Sequence, residues 1–160
     1  MPATSASTTL TPATPSPAFL ARRPVWQVSY LSGLAASVLV EAWGLAARAA
    51  GVPMRAAGFG AQHATSITVG MLAMGTMVVI FWFTFAVSLI SRFAKHPKRA
   101  YLGTALPLLA LSLVVPLTAA DTATSTKLTL AAAHLIAGAV IIPAVAWRLS
   151  GRGPGRRSGE

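Results

Sequence analysis

The stretch ITVGMLAMGTMVVIFWFTFAVSLIS, residues 67–91, is followed at once by RFAKHPKR, residues 92–99. The first segment carries no ionisable side chain and exceeds the roughly 20 residues that take a helix across a bilayer. The second packs Arg92, Lys95, Lys98 and Arg99 into a short connection. An apolar run of that length closed by a basic cluster is the signature of a membrane span ending at a cytoplasmic loop. This pairing decides the fold class.

Working outward, comparable apolar runs occupy Trp26–Ala47, Tyr101–Ala119 and Leu128–Leu149. Four spans over residues 26–149 with short connections predict an all-α polytopic membrane protein, an antiparallel bundle of four transmembrane helices. The basic residues sort by side. Arg22, Arg23, Arg92, Lys95, Lys98, Arg99, Arg148, Arg152, Arg156 and Arg157 fall at one end, against Arg48, Arg55 and Lys127 at the other. By the positive-inside rule both termini and the middle loop are cytoplasmic, and the chain belongs in the bacterial inner membrane as a multi-pass protein.

Composition agrees. The chain is 54% hydrophobic and only 10% charged, whereas soluble domains average about 25% charged residues. A net charge of +10 suggests nucleic acid in a soluble protein. Here orientation and attraction to anionic headgroups account for it, so the lipid bilayer is the expected partner and nucleic acid is not. The absence of cysteine removes disulfides, thiolate zinc sites and iron–sulfur clusters. No residue pattern calls for a cofactor.

Residues 1–25 are dominated by Ser, Thr, Pro and Ala and read as a disordered cytoplasmic arm, and residues 150–160 as a disordered basic tail. Arg22-Arg23 ahead of an apolar run imitates a twin-arginine signal, yet the pair lies deep in the chain and Glu41 interrupts the run. An uncleaved first helix is the reading adopted. The longest external connection is about residues 48–66. Close small-residue contacts are expected from Ala42 with Ala46, and from Ala133 with Ala137 and Gly138. Pro107, Pro116 and Pro143 free backbone carbonyls inside spans.

Glu41 is the only acid within a predicted span and is costly in hydrocarbon, so it should face the bundle interior or water. Counting at 1.5 Å per residue puts it roughly 9 Å below the external end of its helix, and His134 at about the same depth. A Glu41–His134 contact would satisfy both groups and titrate near neutral pH. The plainer readings leave Glu41 protonated or pair it with Arg48, and give His134 a backbone carbonyl or hydroxyl across the bundle. Asp121, in a Thr-rich turn, is a further polar candidate with an ordinary turn as its simpler explanation. Met71, Met74 and Met77 on helix two, with His63 and Met54 in the preceding loop, have the thioether and imidazole chemistry of a copper(I) site. Core packing is the favoured reading of those methionines, and no metal is assigned. With one histidine in a span, haem ligation is not supported.

The segment Leu111-Ser112-Leu113-Val114-Val115-Pro116-Leu117, a Thr-rich turn, then His134-Leu135 and Ile141-Ile142-Pro143, resembles a family of small four-helix actinobacterial membrane proteins known only as a domain of unknown function. The resemblance covers roughly residues 28–148. It implies a polytopic membrane protein and singles out Pro116, His134 and Pro143, but brings no activity.

Nothing catalytic is visible, so the expectation is a non-enzymatic integral membrane protein of unknown function, an accessory or scaffold subunit. It would pack against a larger membrane protein or a second copy. The alternative is a small proton-coupled carrier or channel using Glu41 and His134.

Overall fold

The computed structural model describes residues 23–58 and 60–150; most of the two expected arms lies outside the described residues. Four helices account for nearly all of this region: α1 (Val25–Ala49), α2 (Met71–Phe93), α3 (Pro97–Thr118) and α4 (Thr124–Ser150). Two-residue strands β1 (Arg55–Ala56) and β2 (Thr65–Ser66) pair antiparallel between α1 and α2, with Arg55 opposite Ser66. All four helices are long and apolar enough to cross a membrane. Their outward faces carry large apolar side chains, among them Val78, Phe81, Trp82 and Phe85 on α2. A helix that is apolar all round has no aqueous face to present.

Local chemistry sets the ends. Pro24 precedes α1, and its carbonyl accepts the amides of Gln27 and Val28. At the other end Gly51, at φ +83, lets Val52 N–H reach the Ala47 carbonyl and Gly51 N–H reach Arg48. That paired 6→1 and 5→2 arrangement is a Schellman stop, and the positive φ is why glycine stands there. Helix α3 begins with Pro97 at its first position, where a missing N–H costs nothing. Helix α2 begins at Met71 rather than Ile67, because Thr65–Ser66 are spent in β2 and Ile67 N–H bonds the Met54 carbonyl.

Helix α1 is the central element, packed against α2 on one flank and α4 on the other; α4 in turn packs on α3. Its buried stripe runs Val25, Val28, Ser29, Ser32, Gly33, Ala36, Ser37, Val40, Gly44 and Ala47. The recurrence every three or four residues is a helical face, and its small residues allow close approach. A Cβ at Gly33 would lie 2.4 Å from Ile80 Cγ1, and one at Gly44 only 2.5 Å from Leu72 Cδ1. This corrects the expectation for helix one, since Ala42 and Ala46 are both exposed. On α4 the expectation agrees better. Ala133 and Gly138 are buried, and a Cβ at Gly138 would meet Leu109 of α3 at 2.7 Å.

Polar cross-links are few. Ser29 Oγ and Thr84 Oγ1 share a 2.8 Å hydrogen bond between α1 and α2, and Trp43 Nε1–H donates to the Thr129 carbonyl at 3.0 Å between α1 and α4. The main apolar cluster gathers Val25, Val87, Tyr101, Val145 and Leu149 near the helix ends that adjoin the termini, and continues to Ala36, Ile80 and Ile141 toward mid-bundle. The Phe83 and Tyr101 rings, 5.8 Å apart, join α2 to α3. Contact between α2 and α3 is otherwise sparse. The bundle is tight at its terminal end and parted between those two helices toward the hairpin.

Candidate functional site

The parting creates a cavity of about 520 Å³, lined from all four helices. That volume falls within the roughly 300–1,000 Å³ of small-molecule sites. Gly75 and Val79 of α2 and Leu108 of α3 line it while also being exposed, so it opens sideways between α2 and α3. Its wall is almost wholly apolar, with Leu72, Ile80, Phe83, Leu109 and Ile141 among the lining residues. The side-chain polar groups on it are those of Thr76, Ser112 and His134.

Each of these three has already spent a proton on its own helix. Thr76 Oγ1 donates to the Leu72 carbonyl at 2.8 Å, and Ser112 Oγ to the Leu109 carbonyl at 2.7 Å. His134 Nδ1 lies 2.7 Å from the Leu130 carbonyl. A carbonyl oxygen only accepts, so Nδ1 carries a proton, and in an imidazole with a single ring proton Nε2 is then an acceptor. The wall therefore offers lone pairs and no spare donor.

Glu41 stands elsewhere. Its Oε1 accepts Gly70 N–H at 2.7 Å and its Oε2 accepts Ala73 N–H at 3.0 Å. These are orphan donors at the start of α2, which has no side-chain cap of its own. A carboxylate there also opposes the positive end of the helix dipole. Glu41 and His134 thus have separate partners, and a contact between them is not made. Nor does Glu41 pair with Arg48, whose Nη1 donates to the Ile67 carbonyl at 2.7 Å while Nε and Nη2 are buried without a hydrogen-bond partner.

At the hairpin end Asp121 does structural work. Its Oδ2 accepts Ala64 N–H at 3.1 Å, and Thr122 Oγ1 accepts Ala57 N–H at 3.1 Å, so the α3–α4 turn holds both sides of the hairpin loop. Met71 lines the cavity and its Sδ accepts Thr68 N–H. Met74 and His63 are exposed. Among the described residues no group of three His, Cys, Asp or Glu comes together to hold a metal ion.

A family model matches residues 20–151. The chain belongs to a family of unknown function (DUF6069). No curated protein and no solved structure matches the chain. The family match spans the described helices and so includes the cavity, the Glu41 cap and the hairpin. Of the three motif positions, Pro116 is buried in α3, Pro143 is exposed on α4, and His134 faces the cavity.

Sequence reasoning missed two features. The capping role of Glu41 had no signal in the chain, because Ser66 stands just ahead of the expected start at Ile67 as an ordinary cap. The cavity had none, because a gap between helices depends on how side chains of separate segments meet.

Proposed function

We propose that the protein is a non-enzymatic integral membrane protein, an accessory or scaffold subunit that packs against a larger membrane partner. It lies in the bacterial inner membrane with both termini in the cytoplasm. Four apolar helices support insertion, and the basic α2–α3 turn on the same end as the termini supports the orientation. The observation that carries the non-carrier reading is the use made of Glu41. The one carboxylate within a span is consumed by two backbone amides and lies off the cavity, so it forms no polar route with His134.

Proton flux in proteoliposomes tests this directly. The wild-type protein and Glu41→Gln are both expected at the level of protein-free vesicles; flux that disappears with Glu41→Gln would establish the carrier instead. Reporter fusions after Ser150 and within residues 57–64 are expected on opposite sides, the former cytoplasmic. Purification from native membranes is expected to retain a stoichiometric membrane partner, and a chain that purifies alone contradicts the accessory role.

A further inference from the structure

The cavity between α2 and α3 joins three properties that define a ligand. It has the volume of a small-molecule site, it opens sideways past Gly75, Val79 and Leu108, and its polar groups are acceptors alone. A saturated chain satisfies the apolar wall but leaves His134 Nε2 without a hydrogen bond. Water is a poor occupant, since a buried water ordinarily makes about three hydrogen bonds. A molecule with an apolar body and one hydroxyl matches both, placing the body against Leu72, Ile80, Leu109 and Ile141 while the O–H donates to His134 Nε2.

We infer that this cavity binds a single-chain, hydroxyl-bearing lipid, entering from the side between α2 and α3, with His134 Nε2 as the acceptor of its hydroxyl proton. The Nδ1–H···O contact to Leu130 fixes the ring in the tautomer that leaves Nε2 free. The site goes beyond the accessory role and does not depend on it; it needs only the observed packing of the four helices.

Nitrogen NMR of histidine-labelled protein in nanodiscs, titrated with dodecanol or with dodecyl methyl ether, tests the assignment. His63 and His96, outside the cavity, serve as internal references. Dodecanol is expected to give a saturable shift of the His134 Nε2 resonance alone. The ether, which has no donor, should bind about fivefold more weakly, the factor that one net hydrogen bond between neutral groups supplies. Gly75 provides the blocking variant, because it lines the cavity and nothing lies within 4 Å of a Cβ built on it. Gly75→Leu should abolish the shift. Gly103→Leu, equally unobstructed but outside the cavity lining, should preserve it. Equal responses to alcohol and ether in the wild type, or a shift that rises without saturating, would overturn the proposal and leave the cavity a gap filled by bulk acyl chains. That comparison stands even where Gly75→Leu fails to fold.

Discussion

Glu41 on α1 caps Ala73 on α2: a carboxylate oxygen accepts the backbone N–H at 3.0 Å, while its sister oxygen holds Gly70 at 2.7 Å. One side chain thus closes the first turn of a neighbouring helix. Removing it leaves two part-buried donors unmatched, at about 1–3 kcal/mol each. Thermal unfolding in detergent is expected to rank wild type above Glu41→Gln, which keeps one acceptor, and Glu41→Gln above Glu41→Ala. An alanine variant as stable as wild type would remove the cap from the list of stabilising contacts.

The α1–α2 crossing depends on the missing side chain at Gly33. A Cβ there would lie 2.4 Å from Ile80 Cγ1 and 2.7 Å from Cγ2, so Gly33→Ala forces a shift and should cost about 1–3 kcal/mol. Adding Ile80→Ala opens the space, so the double variant should lose less than the two single losses combined. Simple additivity in unfolding measurements would mean that the helices move apart without resisting.

Ser29 and Thr84 share one of the few side-chain hydrogen bonds between helices. Within a membrane such bonds are worth about 0.6 kcal/mol on average. A double-mutant cycle with Ser29→Ala and Thr84→Val should return a coupling near that size, and a coupling indistinguishable from zero would show that the pair only fills space.

The hairpin is held by the α3–α4 turn. Asp121 sits at φ +44, a conformation glycine adopts freely, so Asp121→Gly keeps the backbone while deleting the acceptor for Ala64 N–H. Hydrogen exchange at Ala64 should accelerate by about tenfold, the equivalent of one net hydrogen bond. Exchange at Ala57, bonded to Thr122, should change less. Unchanged protection at Ala64 would show that something other than Asp121 seats the loop.

The elements of this fold are legible in the chain because their causes are local. A run such as Ile67–Ser91 is apolar at nearly every position whatever it packs against, and Pro97 marks a helix start by its own covalent geometry. The start of α2 departs from the start of its apolar run for a related reason. Ile67 is apolar enough for a span, yet a backbone bond to Met54 recruits it to the hairpin.

What the chain determined alone is the number and approximate length of its apolar helices, since hydrophobic content is additive along a segment. Tertiary structure alone decided what Glu41 and His134 do. Both residues are conspicuous in the sequence at similar depth, and counting along two helices invites their pairing. Depth, however, says nothing of azimuth. The small-residue stripe of α1 brings Ile80 and Leu72 of α2 close, and this seats Glu41 on the first turn of α2. The parting of α2 from α3 beyond Phe83 and Tyr101 leaves His134 facing an apolar cavity instead. Which groups meet is a property of how whole helix faces pack, and no single segment carries it.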